Sequence, residues 1–273
     1  MTPCRPDAGF PLLGVGTTSF PKAQSTMTWP VLLYCMTCVF GAAFVRGYSG
    51  FGFSLLAISS MALVLQPAAI IPSIFMMEIA ASVSLLPSIF REVHWRALRL
   101  LWFGCLICTP VGVQLLAALP VAPMKLALGI AVLGAAALLW SGYSRRSMPT
   151  SAETVLTGGV AGLLNGAFGI VAPPVIVFFF NSPAGAAVSR ASLITFFIGT
   201  DAIGIAFLAQ RGLVTLDGFY RFLTLVPALI LGQWLGARSF KSADPAEFRR
   251  YVLLLLMLLA VAVAAEGTLA LWL

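Results

Sequence analysis

Residues 47–77 read GYSGFGFSLLAISSMALVLQPAAIIPSIFMM, a run that no Asp, Glu, Lys or Arg interrupts. A bilayer core of about 30 Å needs roughly 20 apolar residues for one helical crossing, so this run is longer than one crossing requires. Further charge-free runs occupy residues 23–45, 100–124, 126–144 and 154–189. Because a water-soluble fold of this length has too little interior to bury all of these runs, we expect an all-α polytopic membrane protein.

The composition supports this class and argues against others. Of the 273 residues, 60% are hydrophobic and 9% are charged, which leaves no room for a separate catalytic domain. The net charge of +7 is typical of cytoplasmic loops in membrane proteins rather than of nucleic-acid binding. Residues 1–27 contain several Pro and Gly and no continuous apolar core. They are therefore predicted to be a flexible tail rather than a cleaved signal peptide.

Apolar runs and helix breakers divide the remaining chain into hydrophobic segments. These fall at about residues 28–46, 52–66, 69–90, 97–118, 124–142, 154–168, 172–181, 186–209, 218–238 and 249–271. A cytoplasmic polar linker at 143–153, which contains Arg145 and Arg146, separates a first membrane repeat (28–142) from a second (154–273). Each repeat holds five segments, with short or broken ones near its centre.

The two repeats resemble each other in sequence. Gly47-Tyr48-Ser49-Gly50 near the end of the first segment matches Gly166-Ala167-Phe168-Gly169 near the end of the sixth. Because five is an odd number, the second copy enters the membrane from the opposite side. The sequence therefore predicts two inverted repeats, a common architecture of secondary transporters.

The charges of the connectors predict the orientation. If the segments alternate sides, the connectors 91–99, 143–153 and 238–250 share one side and carry nine cations. The other side carries five, namely Arg5, Lys22, Lys125, Arg211 and Arg221. Since positively charged loops stay in the cytoplasm, both termini are expected on the outer side of the membrane. The membrane is expected to be the plasma (inner) membrane.

Two segments are too short for a comfortable crossing, 52–66 and 172–181. Each follows a glycine cluster, so residues 44–54 and 163–174 are predicted to be breaks between half-helices inside the membrane. The N-terminus of each second half-helix would then offer free N–H groups to an anion. Alternatively, the glycines only allow helices to pack closely.

At these elements the chain resembles the TauE/SafE family of membrane transporters, over roughly residues 30–265. The resemblance rests on the duplicated Gly-x-x-Gly element and on the basic connector Arg91–Arg99 with His94-Trp95. It implies a transporter, with export as the expected direction, for a small anion such as sulfite, a sulfonate or a carboxylate.

Charged residues inside apolar segments are candidates for function, because an unpaired charge at the bilayer centre costs at least about 2.5–3.5 kcal/mol. Arg46 and Arg190 offer a planar fork of donors that fits an anion. Alternatively, Arg46 forms a structural ion pair with Glu78 or Asp201, or extends its charged end to the membrane interface. The candidate substrate-binding residues are Arg46, Gly47, Ser49, Gly50, Asn165, Gly166, Gly169 and Arg190.

Glu78 and Asp201 lie in equivalent segments of the two repeats. A low dielectric favours the neutral form of a carboxylic acid, so either residue could carry a proton as coupling ion. Alternatively, each carboxylate permanently neutralises a nearby arginine.

Other functions and partners are weighed against these patterns. A passive anion channel and, with less support, an intramembrane enzyme remain as alternatives. No phosphate-cradling loop is present, and no cofactor is expected.

The pairs Cys35/Cys38 and Cys105/Cys108 have zinc-like spacing but fall in apolar helices, where cysteine packs well. The lone His94 is expected to be a solvated loop residue. The expected partners are the lipid bilayer and the small anion, with protons as coupling ion and a homodimer as options, and no nucleic acid.

Overall fold

The computed structural model describes residues 28–141, 149–180, 185–239 and 245–272, and within these ranges the protein is helical and has no strand. The predicted tail 1–27, Arg145 and Arg146 lie outside the described residues. The helices are α1 Trp29–Ser49, α2 Phe53–Met61, α3 Pro67–Val83, α4 Leu86–Ile89, α5 Trp95–Ala118, α6 Val121–Trp140, α7 Ser151–Phe168, α8 Ala172–Phe180, α9 Ala186–Gln210, α10 Leu216–Ser239 and α11 Pro245–Trp272.

Helix boundaries follow local chemistry. Helix α7 begins at Ser151, inside the predicted linker, because Thr150 and Glu153 form a reciprocal capping box. The Thr150 hydroxyl accepts the Glu153 N–H, and the Glu153 carboxylate accepts the Thr150 N–H at 2.8 Å. Such a box satisfies two N–H groups that the first helical turn would leave unpaired. The predicted segment 69–90 is divided, since α3 ends at Val83 and a short α4 with Pro87 in its first turn follows.

Among the residues that the structure describes, six helices are long and apolar enough to cross a membrane. They are α1, α5, α6, residues Ala187–Gln210 of α9, α10, and residues Arg250–Trp272 of α11. Their outer faces carry large exposed apolar side chains such as Phe103, Ile107 and Leu258. Because water would penalise a surface of this kind and lipid does not, the protein is an all-α, multi-pass membrane protein.

Helices α5 and α7 pack closely along their length, in the same direction. The closest approaches join Gly158 to Leu101 and Gly166 to Thr109, so residue numbers rise together along both helices. Helices α1 and α10 form a second parallel pair, in which Gly232 meets Phe40. Glycine allows backbone-to-backbone contact at these crossings, as small residues do in membrane bundles.

Helices α6 and α11 form the third extensive pair and run in opposite directions. Gly129 meets Ala260, while Gly267 meets Ala122. If successive segments cross the membrane in alternating directions, α1 and α10 must be parallel, α5 and α7 must be parallel, and α6 and α11 must be antiparallel. The three helix pairs have these directions.

The most extensive helix contacts interchange when each helix is replaced by its sequence counterpart (α1 by α7, α2 by α8, α3 by α9, α5 by α10, α6 by α11). The α5–α7 pair becomes α10–α1, and α3–α10 becomes α9–α5. The α3–α9 and α6–α11 pairs map onto themselves. Helix α9 is the most enclosed of the candidate spans. In its 18-residue apolar stretch 61% is buried inside the protein, against at most 39% in the corresponding stretches of the other five helices. The centre of the molecule is thus the place where α3 and α9 meet.

Candidate substrate site at the broken helices

The first break lies between α1 and α2. Helix α1 continues to Ser49, and Gly50 and Gly52 then adopt φ values of 83° and 92°. Only glycine adopts such left-handed conformations readily. The Ser49 hydroxyl lies 2.7 Å from the Val45 carbonyl oxygen and 2.8 Å from that of Phe51, so it can donate to either. The break predicted at 44–54 therefore exists, but it is confined to residues 50–52.

The second break lies between α7 and α8 at the matched position. Gly169 ends α7 with φ of 70°, and α8 begins at Ala172. The predicted extent 163–174 is wrong on both sides, because α7 continues to Phe168 and Pro173 and Pro174 already belong to α8. These prolines fit the first turn of a helix, but they carry no N–H. The N-terminus of α8 therefore lacks donors that the N-terminus of α2 retains.

Gly47 and Gly166 lie inside helices rather than in the breaks. A Cβ at Gly47 would overlap the carbonyl oxygen of Gln233 in α10, and one at Gly166 would overlap that of Thr109 in α5. Close packing of helices therefore explains these two glycines, as the alternative interpretation holds.

Arg46 is buried and already has partners. It is 2% exposed, forms an ion pair with Glu78, and donates to the Ser82 hydroxyl at 2.6 Å. Its guanidinium carbon lies 5.8 Å from the centre of the Phe197 ring of α9. The ion pair that was considered as the alternative role of Arg46 is therefore present.

Glu78 is held on both carboxylate oxygens. Oε1 pairs with Arg46, and Oε2 accepts the Ser54 hydroxyl at 2.6 Å. Because Ser54 lies in the first turn of α2, the carboxylate sits near the N-terminal, positive end of that half-helix. A negative charge is stabilised there.

Asp201 and Asn165, from the second half of the chain, lie close to the same place. The Asn165 amide donates to the Thr200 carbonyl at 3.2 Å and is hydrogen bonded to the Asp201 carboxyl group. Asp201 also interacts electrostatically with Arg46. Both residues are buried, at 0% exposure for Asn165 and 2% for Asp201.

We refer to Arg46, Ser54, Glu78, Ser82, Asn165 and Asp201 as the central polar cluster. It joins α1, α2, α3, α7 and α9, and hence both halves of the chain. Sequence reasoning identified its ionisable members and Asn165 but missed Ser54 and Ser82. Both are single hydroxyls in apolar helices, and only the fold shows that they face charged groups.

Arg190 is the accessible candidate. It lies in the second turn of α9 and is exposed, and its Nε would be 3.3 Å from a Cβ placed on Gly50. No hydrogen-bond or ion-pair partner of Arg190 is present in the described part of the chain. A free guanidinium thus lies beside the first break, close to the N-terminus of α2.

Two cations that were assigned to outer connectors lie inside the helical bundle instead. Lys125 belongs to α6 and pairs with Glu266 of α11. Arg221 belongs to α10, is 7% exposed and donates to the Ala69 carbonyl. Removing both from the five outer cations leaves three, so the predicted charge difference between the two sides increases. Glu266 within segment 249–271 was the overlooked signal for the Lys125 pair.

The four cysteines of α1 and α5 and the histidine that caps α5 show no sign of a shared metal site among the described residues. Cys35 and Cys38 lie in α1, whereas Cys105 and Cys108 lie in α5, and all four are free thiols. Across the described ranges, no group of three potential metal ligands is found. His94 is the N-cap of α5, where its Nδ1 accepts the Ala97 N–H at 3.2 Å.

Comparison with known proteins identifies the family. The sulfite exporter TauE/SafE family matches residues 35–263. The chain is 28% identical over 211 residues to a probable sulfite/organosulfonate exporter TauE of Cupriavidus necator, an alignment that covers 74% of this chain and 81% of the relative. No solved structure matches the chain. Since the family match spans most of the helical bundle, the protein belongs to the sulfite exporter TauE/SafE family.

Proposed function

We propose that the protein is a secondary transporter of the plasma (inner) membrane that exports a small anion such as sulfite, a sulfonate or a carboxylate. The observation that carries this proposal is the central polar cluster, which is buried where the two halves of the protein meet. Membership of the TauE/SafE family also supports it. Charged groups buried in a membrane bundle mark transport pathways more often than packing sites.

The two halves act as inverted repeats in this proposal. The antiparallel equivalent helices α6 and α11, and the interchange of the helix contacts, support it. Rocking of one repeat against the other would open the cluster to each side in turn, as in other transporters of this architecture.

The substrate anion is proposed to bind first at Arg190 and the free N–H groups of α2 beside Gly50. A guanidinium and a helix N-terminus both favour an anion, and both are close to the first break. Arg46 and Asn165 would meet the anion only when the cluster opens, because both are now buried. Ser49, Gly47, Gly166 and Gly169 would hold the breaks and crossings in shape.

The coupling ion is proposed to be a proton carried by Glu78 or Asp201. Both acids lie in α3 and α9, at the contact between the halves. A buried acid can change its charge by one proton without any other ligand.

Reconstituted protein tests the transporter proposal. Vesicles loaded with unlabelled sulfite should accumulate labelled sulfite transiently and with saturation, which is counterflow and requires a carrier. Flux that rises linearly with concentration would indicate a channel instead, and formation of a chemical product would indicate an enzyme. The buried state of the cluster supports the carrier, since a passive pore needs a continuous polar route.

A further inference from the structure

The two acids of the central polar cluster have unequal partners. Arg46 and Asn165 occupy matched positions in α1 and α7, and Glu78 and Asp201 lie in the matched helices α3 and α9. The first repeat thus supplies a guanidinium–carboxylate pair, and the second supplies an amide–carboxyl pair at the equivalent place. The cluster contains two acids and a single cation.

The ionised carboxylate of Glu78 has a partner for each of its two oxygens. One oxygen has Arg46, the other has the Ser54 hydroxyl, and the positive end of α2 is adjacent. Protonation of this carboxyl would remove the partner of a buried guanidinium, which is strongly unfavourable.

In the described part of the chain, the carboxyl group of Asp201 has a partner for only one of its two oxygens. Its Oδ2 is buried without a hydrogen-bond partner, and so is the Oδ1 of Asn165, in the part of the chain that the structure describes. These two side chains are already hydrogen bonded to each other through other atoms. An ionised carboxylate and an amide oxygen are both acceptors, whereas a protonated carboxyl has an O–H that can donate to the amide oxygen. A proton on Asp201 would therefore supply a donor to a side-chain pair in which these two oxygens have none.

The surroundings of Asp201 contain few other titratable groups. Helix α1 contributes Arg46, α5 contributes the Cys105 thiol, α3 contributes Glu78 through its pair with Arg46, and α7 contributes the neutral Asn165. Helix α8 (Ala172–Phe180) contains no ionisable residue. With Asp201 protonated, the charges of Arg46 and Glu78 cancel and the cluster is neutral.

We propose that Asp201 binds the proton of the transport cycle and that Glu78 remains the fixed counter-ion of Arg46. This inference rests on the proposed function and assigns its coupling site. A hydronium ion from the aqueous side loses one proton to the Asp201 carboxylate: its O–H bond breaks and leaves a water molecule, an O–H bond forms on Asp201, and this O–H donates to Asn165. A substrate anion entering the cluster would repel an ionised Asp201, so anion binding should draw one proton onto this residue.

Infrared spectroscopy of the purified protein in lipid tests the assignment without requiring transport. The carbonyl stretch of a buried protonated carboxylic acid should be present in the wild type and should grow on addition of sulfite. Asp201→Asn should abolish this band. Glu78→Gln, combined with Arg46→Gln so that no buried charge is left unpaired, should retain it. Glu266→Gln is the matched control, an acid in another membrane helix, and should leave the band unchanged.

Two outcomes overturn the proposal. One is a band that survives Asp201→Asn, and the other is a band that is lost with the Arg46→Gln/Glu78→Gln pair. If Asp201→Asn does not fold, Asp201→Glu keeps the acid and should move the band, and an unmoved band then refutes the assignment. Counterflow of sulfite by the wild type is measured separately. Its absence would refute the transporter proposal, while the infrared result decides the proton site.

Discussion

Arg46 illustrates how a buried charge in a membrane protein depends on its counter-charge. Its guanidinium pairs with Glu78, donates to Ser82 and faces the ring of Phe197. Arg190, by contrast, is exposed beside Gly50 and has no such partner in the described ranges. Two arginines that the sequence presents as similar candidates therefore have different surroundings, and their variants should fail in different ways.

Removal of one member of the Arg46–Glu78 pair should destabilise the fold more than removal of both. Arg46→Gln leaves a buried carboxylate unpaired and is expected to cost about 3–5 kcal/mol of unfolding free energy. Arg46→Gln/Glu78→Gln leaves no charge and should recover most of this loss. Thermal unfolding of the purified variants measures both, and equal stabilities of the single and double variants would contradict the ion pair.

Arg46→Lys should weaken transport strongly while expression stays largely intact. Lysine keeps the charge and so compensates Glu78, but it cannot reproduce the planar fork that contacts Glu78 and Ser82 together. Sulfite counterflow in vesicles measures the effect. Normal transport by this variant would show that only the charge matters at this position.

Substitution of Arg190 should affect substrate binding and leave the fold unchanged. Because Arg190 is exposed and has no partner among the residues that the structure describes, Arg190→Gln should unfold at the same temperature as the wild type. We expect the sulfite concentration for half-maximal flux to rise about tenfold, which corresponds to about 1.4 kcal/mol. Arg238→Gln is the matched control, since Arg238 is also exposed and lies over Trp234. A similar change in both variants would indicate a general surface-charge effect.

At the scale of helices, glycine has two separate uses in this protein. Gly50, Gly52 and Gly169 have left-handed backbones and end or begin the helices on either side of the two breaks. Gly47 and Gly166, a few residues before them, allow α1 and α7 to touch α10 and α5. The duplicated Gly-x-x-Gly element therefore combines a crossing point with a helix end.

Enlarging a crossing glycine should disrupt the helix pair. Gly236→Val places side-chain atoms where the Phe44 backbone lies and should cost about 1–3 kcal/mol or more through overpacking. Gly41→Val and Gly134→Val are controls in α1 and α6, because a Cβ at either position meets no other atom within 4 Å. Thermal unfolding in detergent compares the three, and equal losses would show that the effect is one of helix propensity.

The sequence predicted the helices well and the breaks less well. Long charge-free runs show where helices lie, and eight of the ten predicted segments match a helix within a few residues. Segment 52–66 extends beyond the end of α2 at Met61, and segment 69–90 is divided between α3 and α4. The break limits were overestimated because helical residues before Gly50 and Gly169 look the same in sequence as residues in a loop. The sequence offered Glu78 and Asp201 as partners of Arg46 but could not choose between them, and it gave no sign of Ser82 or of the Lys125–Glu266 pair, since these contacts depend on which helices become neighbours.

At the scale of the whole molecule, the predicted topology places both termini outside and the linker 143–153 in the cytoplasm. Parallel contacts in α1–α10 and α5–α7, and antiparallel contacts in α6–α11, support this alternation. Excess positive charge on one side sets the direction.

Reporter fusions that are active only in the cytoplasm test this topology. Fusions at either terminus should remain inactive, and a fusion inserted in the linker 143–153 should be active. Activity at a single terminus would refute the odd number of crossings per half, and hence the inverted repeats.

The three main helix pairs, α5–α7, α1–α10 and α6–α11, each join one half of the chain to the other. During synthesis, α1 therefore leaves the ribosome long before α10 exists, and its glycine-lined side must wait in lipid or beside a chaperone. Neither half can complete its interfaces alone, so a chain cut in the linker should be degraded when one fragment is made without the other. Co-expression of the two fragments should restore both to the membrane, because each supplies the missing partners of the other.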